Sequence, residues 1–239
     1  MNHAGHQQAH AQALRAGLAR HGVKRDPHFV AVWGWRTGAA YRAAGREVLV
    51  LERGYLGDRF AWTSIGWNGL NGRATFPEHP DDGGARFRSM GLALSPMRAG
   101  GDYVLIAGQV PGDAALGGRN LQGWYEAQAA RDWGLPVKFR PHPLAHKRGP
   151  VRPVGGAAMD RSPLPEALRG AARVITFNSN TGVDALVAGV PATCDDAGSM
   201  IHGVTDRETW AHALAWKQWR LDEIRSGVAL EAVVGRLRG

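Results

Sequence analysis

A chain of 239 residues is long enough for one large domain or for two smaller ones around a cleft. With 44% hydrophobic and 21% charged residues it has the balance of a soluble globular protein, and no stretch reaches the ~18 uninterrupted apolar residues of a membrane span. Lys and Arg exceed Asp and Glu by eight, 29 against 21, which suits an anionic partner (a nucleotide, a nucleic acid or an acidic glycan) and equally a merely soluble basic surface.

Residues 1 to 25 read as an alanine-rich helix with a loose, basic end, without the apolar core of a secretory signal. The single cysteine, Cys194, precludes an internal disulfide framework, so a reducing compartment, the cytoplasm, is expected. Cys194 itself reads as a small buried side chain rather than a catalytic thiol. His28 to Trp33 is a strand, Thr37 to Ala44 a helix and Glu47 to Glu52 a buried strand, which together make a βαβ unit with a parallel pair. Residues 58 to 100 break this rhythm. They are rich in Gly, Trp and Asn, carry a Pro/Asp cluster from Pro77 to Gly84, and read as a long functional loop with irregular β structure. From Asp102 the alternation returns: strand Tyr103 to Ala107, helix Leu121 to Trp133, strand Val137 to Arg140, short helix Pro165 to Arg169, strand Arg173 to Phe177, helix Thr181 to Ala188 and strand Val190 to Cys194. Asp206 to Arg238 reads as helical. The pattern predicts an α/β protein of two Rossmann-like lobes. A small N-terminal lobe spans 1–100 and a C-terminal lobe, built on a doubly wound parallel sheet, spans 101–239. Helices 206–238 are expected to pack back across the first lobe or to form a dimer contact.

Ligands of an open parallel sheet sit beyond the carboxyl ends of its strands, and three such ends here carry suggestive residues. After Phe177 come Asn178, Ser179, Asn180, Thr181 and Gly182, small and polar, leading straight into a helix. Helix N-termini with free N–H groups bind phosphate, and Gly182 would let a ligand approach the backbone. The same residues also describe an ordinary helix capped by Asn180 or Thr181, with Asp184 completing a capping box. The second end is Arg140-Pro141-His142-Pro143, where two prolines hold a histidine beside an arginine, as a phosphate grip or as a surface turn. The third, Gly108-Gln109-Val110-Pro111-Gly112-Asp113, suits either a cleft-facing loop or a plain turn.

Three of these segments occur in a recognisable order. Arg140-Pro141-His142-Pro143, then Ser162-Pro163-Leu164-Pro165-Glu166-Ala167-Leu168, then Arg173 to Pro191 with its Ser179-x-x-Gly182 turn and its Ala185-x-x-x-Gly189-x-Pro191 end, resemble the capsule polysaccharide biosynthesis glycosyltransferases. That family includes the β-Kdo transferases and has relatives in phage genomes. The likeness covers residues 103 to 200, and Glu52-Arg53-Gly54-Tyr55 resembles the Glu-x-Gly-hydrophobic loop of the family's N-terminal lobe. The resemblance implies a GT-B-like fold and sugar transfer from a nucleotide sugar. The N-terminal lobe would take the acceptor and the C-terminal lobe the donor, with no metal and no cofactor. Arg140, His142, Gln109 and the run Asn178 to Gly182 would then hold the donor nucleotide and its phosphate.

The chain contains no Asp-x-Asp pair of the metal-binding type, so charge stabilisation is expected from Arg140, His142 and the amides around Ser179 to Gly182. The proton of the acceptor needs a base, for which Asp58 is the first candidate, Asp113 the second and His79 the third. Glu52, Arg59, Trp67, Asn68 and Arg73 are expected to contact the acceptor. Aromatic rings interleaved with arginines across 58–100 (Trp62, Trp67, Arg73, Arg86, Arg88) suit sugar stacking or nucleic-acid bases. The implied acceptors are a hydroxymethylated pyrimidine in double-stranded phage DNA, in which case the host cytoplasm is the setting, or a capsule-type saccharide. A catalytically silent nucleotide- or DNA-binding protein of the same fold is the alternative.

Overall fold

In the computed structural model, which describes residues 3–20 and 29–234, the alanine-rich start forms helix α1 (His3–Arg20). It is followed by β1 (Phe29–Trp33), α2 (Trp35–Ala43), β2 (Glu47–Arg53), β3 (Thr63–Trp67) and α3 (Ala85–Ser89). Next come β4 (Tyr103–Ala107), α4 (Gln122–Ala129), β5 (Val137–Arg140), β6 (Ala158–Met159), α5 (Leu164–Gly170), β7 (Ala171–Thr176), α6 (Thr181–Val187) and β8 (Ala192–Cys194). The last described elements are α7 (Arg207–Ala215), β9 (Gln218–Trp219), α8 (Leu221–Ser226) and α9 (Val228–Val234). Two units result: one from residues 1–92 with 208–239, the other from residues 93–207. The division thus falls after Leu92 rather than at residue 100, and the C-terminal helices belong to the first unit.

The first unit is built on a four-stranded sheet of order β1-β2-β3-β9. Its β1–β2 pair is parallel with α2 as the crossover, whereas β3 runs antiparallel to β2 and β9 antiparallel to β3. This departs from a second Rossmann-like lobe. The physical reason is the five-residue strand β3, which turns straight back beside β2 instead of crossing over through a helix. Sequence pattern hides β3 because Thr63, Ser64 and Gly66 interrupt its apolar run, yet all five residues are buried. Apolar side chains of α1, β1–β3, β9, α8 and α9 form the core of this unit, among them Leu14, Leu49, Ile65, Trp219, Ile224 and Val233.

Polar side chains organise what surrounds that core. Arg86, on α3, makes a two-armed ion pair with Glu223 (2.8 and 3.1 Å) and donates to the carbonyls of Ala215 and Gln218. Its guanidinium lies 4.4 Å from the Trp219 ring centroid and 4.8 Å from that of Trp216. The wholly buried Gln218 accepts from the amides of Tyr55 (2.6 Å) and Leu56 (2.9 Å) and donates to the Leu56 carbonyl (3.3 Å). One side chain on β9 thereby satisfies the backbone of the loop after β2. Gly54 permits this approach, since a Cβ there would lie 2.6 Å from Trp62 Cβ and 3.0 Å from Gln218 Oε1.

The second unit is a parallel five-stranded sheet of order β6-β5-β4-β7-β8. Helices α5 and α6 cover one face through Ala167, Leu168 and Ala185, and α4 covers the other through Leu121, Tyr125 and Ala129. The chain leaves β4 toward β5 and β6, then returns to the far side of β4 as β7 and β8. The order therefore reverses between β4 and β7, and this is where a doubly wound sheet opens a crevice.

Replacing Gln218 with Leu strands two buried amides and a carbonyl, and the expected loss of stability is about 2–4 kcal/mol. A lowered denaturation midpoint in urea with unchanged slope checks it.

Candidate functional site

At the reversal point the two strand ends are tied together side chain to backbone. Asn178, buried after β7, receives Gln109 Nε2 on its Oδ1 (2.6 Å) and donates its own amide to Gln109 Oε1 (3.0 Å). Its Nδ2 donates to the Ala115 carbonyl (2.9 Å) and to Asp196 Oδ2 (2.7 Å). Gln109 is held in turn through its amide, which donates to the Tyr125 hydroxyl (2.9 Å). Burial pushes that phenol up to about 12, so it remains a neutral hydrogen-bonding group. Both amide side chains, expected to touch a donor, brace the loops after β4, β7 and β8.

The amides expected to cradle a phosphate are also used within the chain. Ser179 N–H donates to Thr176 Oγ1 (2.8 Å), Thr181 N–H to Ser179 Oγ (3.2 Å) and Gly182 N–H to the Ser179 carbonyl (3.1 Å). Asn180 precedes α6 in helical geometry and makes no side-chain cap hydrogen bond. Gly182 is buried, and a Cβ there would lie 2.7 Å from Ile201 Cδ1. Its lack of a side chain makes room for Ile201 rather than for a ligand. What this turn presents at its half-buried edge is the hydroxyl pair of Ser179 and Thr181, 3.2 Å apart.

Arg140 and His142 part company because β5 ends at Arg140, so the strand's alternation, which would put i and i+2 on one face, does not extend to His142. Successive residues of a strand face opposite sides of the sheet. Phe139 joins the α4-side core. Arg140 lies on the other face, where its Nε donates to the Ser162 carbonyl (3.1 Å) with Asp160 and Asp184 nearby. Burial lowers the Arg140 guanidinium somewhat, against the pull of those two carboxylates. His142 follows the strand and returns to the α4 side, where its Nδ1 accepts the Leu144 amide (3.0 Å). The ring's proton therefore resides on Nε2.

A cavity of about 430 Å³ opens beside His142, between the loops after β4 and β5. Its wall is the buried quartet Leu116, Leu121, Tyr125 and Phe139, and Gln109, Arg119, Arg148 and Arg152 also line it. Sequence reading missed these three arginines. They are separated by up to 33 positions and fall in loops with no periodic signal, and only the fold gathers them. Among the described residues no three or more His, Cys, Asp or Glu side chains come together as a candidate metal site.

The first unit scatters its candidate residues. Glu52, beside the turn at Gly34, and Arg59, whose Nε donates to the Gly54 carbonyl (2.7 Å), lie where β2 ends. Trp67, Asn68 and Arg73 lie at the opposite end of the sheet, because β3 runs antiparallel and pairs Trp67 with Leu49 and Thr63 with Arg53. Trp67 is moreover an interior residue, its indole N–H donating to the Val233 carbonyl (3.0 Å) and its ring packing edge-on against Phe29. Asn68 adopts φ 59° and binds Val48 and Glu47, ending β3. Trp62 is buried as well, and Arg86 is the strut already described, so the expected aromatic-cationic acceptor surface over 58–100 is largely interior. Asp58 is exposed and accepts the Phe60 amide on Oδ1 (2.9 Å), Asp113 caps a short turn through the Ala115 amide (2.8 Å), and exposed His79 places Nδ1 3.1 Å from the Pro80 carbonyl. The Cys194 thiol is half-buried and raised by burial, consistent with a non-reactive role.

No protein-family model and no curated protein sequence matches this chain. Among solved structures it is similar to Thermosulfurimonas dismutans KpsC, β-Kdo 2,7 transferase, with a TM-score of 0.58 and 18% identity over 85% of each chain. It is similar also to Thermosulfurimonas dismutans KpsC, β-Kdo 2,4 transferase, with a TM-score of 0.52 and 18% identity over 77% of this chain and 78% of that one. The fold is that of the KpsC β-Kdo transferases. Among the described residues no helix is long and apolar enough to cross a membrane.

The charge cluster behind Arg140 carries a pH dependence. Burial opposes the charge of Asp160. Two hydrogen bonds from Ser162 (2.8 and 2.5 Å), with Lys138 and Arg140 nearby, outweigh it and hold the carboxyl below the ordinary range. Its stabilisation is therefore complete above the unfolded value of about 4 and fades as pH falls through the depressed one. Asp160→Asn should flatten the acid limb of stability against pH while changing little of its slope near neutrality, as followed by thermal melts from pH 2 to 7.

Proposed function

We propose that this chain is a glycosyltransferase that moves a sugar from a nucleotide-sugar donor to a hydroxyl acceptor. The observation that carries the reading is the coincidence of the KpsC-like fold with the His142-Pro143, Ser162 to Leu168 and Ser179-x-x-Gly182 motifs at the strand ends of the parallel sheet. In this reading the donor is held by the second unit, beyond β4, β5 and β7. The phosphate grip is moved from the amides after Phe177, which are used internally, to side chains: His142 through Nε2–H, with the hydroxyls of Ser179 and Thr181 at the neighbouring strand end. Arg140 supports that edge from behind through Ser162.

In the transfer step the acceptor oxygen attacks the anomeric carbon, the bond from that carbon to the phosphate oxygen breaks, and the phosphate leaves with the electron pair. Positive and hydrogen-bonding side chains stabilise the charge that develops there, and a carboxylate takes the acceptor's proton. Asp58 is the proposed base. It stands exposed in the loop after β2, and among the described residues it forms no ion pair. Glu52 and Arg59 at the same end of β2 are proposed to position the acceptor. Asp113 is the alternative base.

For the acceptor a saccharide hydroxyl is favoured over a hydroxymethylated pyrimidine in DNA. The burial of Trp62 and Trp67 removes both tryptophans of region 58–100 from a stacking role and leaves Phe60, with Arg53 over its ring, as the exposed aromatic there.

Incubation with a panel of nucleotide sugars, with and without saccharide or hydroxymethylated-DNA acceptors, tests the proposal by nucleotide release. Release that depends on an acceptor supports transfer. Tight nucleotide binding with no release under any acceptor supports the silent binding protein instead. Asp58→Asn keeps the turn to Phe60, so the variant should fold normally, lose roughly 100-fold or more in kcat and change little in donor KM. Wild-type turnover in this variant removes Asp58 from the mechanism.

A further inference from the structure

The loop after β2 ends in a turn that displays one ring. Asp58 closes this turn twice, its carbonyl accepting the Ala61 amide (2.9 Å) and its Oδ1 accepting the Phe60 amide (2.9 Å). Gly54, at the start of the loop, is fixed on both sides: its amide donates to the Trp62 carbonyl (2.8 Å) and its carbonyl accepts Arg59 Nε (2.7 Å). Gln218 holds the amides of Tyr55 and Leu56 between them. Phe60 is 54% exposed in this otherwise anchored segment. The guanidinium of Arg53 lies over its ring, 3.9 Å from the centroid, and Arg53 forms no ion pair among the described residues.

A lone exposed apolar side chain is ordinary on a protein surface. Two features set Phe60 apart. Its amide is bound to the Asp58 carboxylate, so the ring and that carboxylate belong to one turn. A cation covers one face of the ring, which fixes its orientation and leaves the exposed area on the other face and the edge. Phenylalanine has no polar handle, so what it offers a ligand is a flat apolar surface with an electron-rich face. A pyranose face made of axial C–H bonds matches that surface in size and polarity. A flipped base is instead held in a snug pocket between side chains, which a single open face in a turn does not supply. We infer that Phe60 is the stacking platform for the acceptor, and that the acceptor is a saccharide whose reacting pyranose presents such a C–H face. The inference rests on the transferase reading with Asp58 as base, and it adds the residue that lays the sugar down so that a hydroxyl meets that carboxylate.

Two measurements on the full chain test the platform separately from the transfer. Saturation-transfer NMR with methyl glycosides of the common hexopyranoses and N-acetylhexosamines, in the absence of donor, reads the sugar contact directly. Steady-state transfer with the nucleotide sugar that supports turnover reads acceptor KM. In the wild type, saturation should fall mainly on the C–H protons of one pyranose face. Phe60→Ala should abolish that contact and raise acceptor KM about 10-fold or more, with donor KM unchanged and kcat within about 2-fold of wild type. Phe60→Tyr and Phe60→Trp should restore both. Tyr41→Ala, which removes another exposed ring (43%) on α2, should behave as wild type. Wild-type acceptor KM in a Phe60→Ala variant that still transfers sugar overturns the inference and leaves the transferase standing. A glycoside contact that Phe60→Ala removes, found together with no transfer from any donor, leaves the sugar platform standing and removes the transferase. No contact with any glycoside in the wild type, or contact with hydroxymethylated deoxycytidine in its place, also overturns the inference.

Discussion

The pair of hydrogen bonds between Gln109 and Asn178 is the interaction on which the second unit's candidate site depends. In a doubly wound sheet the central strand faces a change of direction, and its loop has no neighbour whose path it simply repeats. Here the two strand ends at that point, β4 and β7, are closed by two planar amides that satisfy one another and then reach outward to Ala115, Asp196 and, through Gln109's amide, Tyr125. Buried amides are costly unless all their groups are paired. Asn178 is buried and Gln109 half-buried, and the bonds they make fix the loop that lines the cavity at three points.

The first unit applies the same solution by a different route. Its loop after β2 carries the Glu52-Arg53-Gly54-Tyr55 motif and would expose the amides of Tyr55 and Leu56 to an apolar interior. Gln218 supplies the acceptor from a strand more than 160 positions away. Arg86 does for α3 and the turn after α7 what Gln218 does for the loop, spreading its charge over Glu223, two carbonyls and two indole rings. A guanidinium so surrounded is a structural post. The tryptophans and arginines of region 58–100 look like a binding surface in sequence because residues suited to recognition are also suited to this kind of interior cross-linking.

Exposure divides the cations of the molecule by task. Arginines with carboxylate or carbonyl partners, such as Arg86 and Arg140, hold the frame together. Arg119, whose guanidinium lies 5.7 Å from the Phe177 ring centroid, Arg148 and Arg152 form no ion pair among the described residues and line a cavity free of acidic side chains. Part of the net positive charge therefore sits in loops and turns rather than on long regular elements.

Local pattern by itself determined most of the α/β order. The apolar runs at Val48 to Leu51, Tyr103 to Ala107 and Val174 to Thr176 can only be buried strands, and the helices between them dictate a parallel sheet. The motifs after β5 and β7 were legible for the same reason, since each is a contiguous string at a strand end. Strand β3 was not, because its burial comes from neighbours on both sides rather than from its own alternation. The direction of β3 then decided that Glu52 and Trp67 stand at opposite ends of one sheet. Pleating put Arg140 and Phe139 on opposite faces, packing gave Gly182's vacancy to Ile201, and hydrogen bonding spent the amides that the sequence seemed to leave for a phosphate. Each of these outcomes depends on which distant side chain arrives at a given point, and such long-range encounters exist only once the chain is folded.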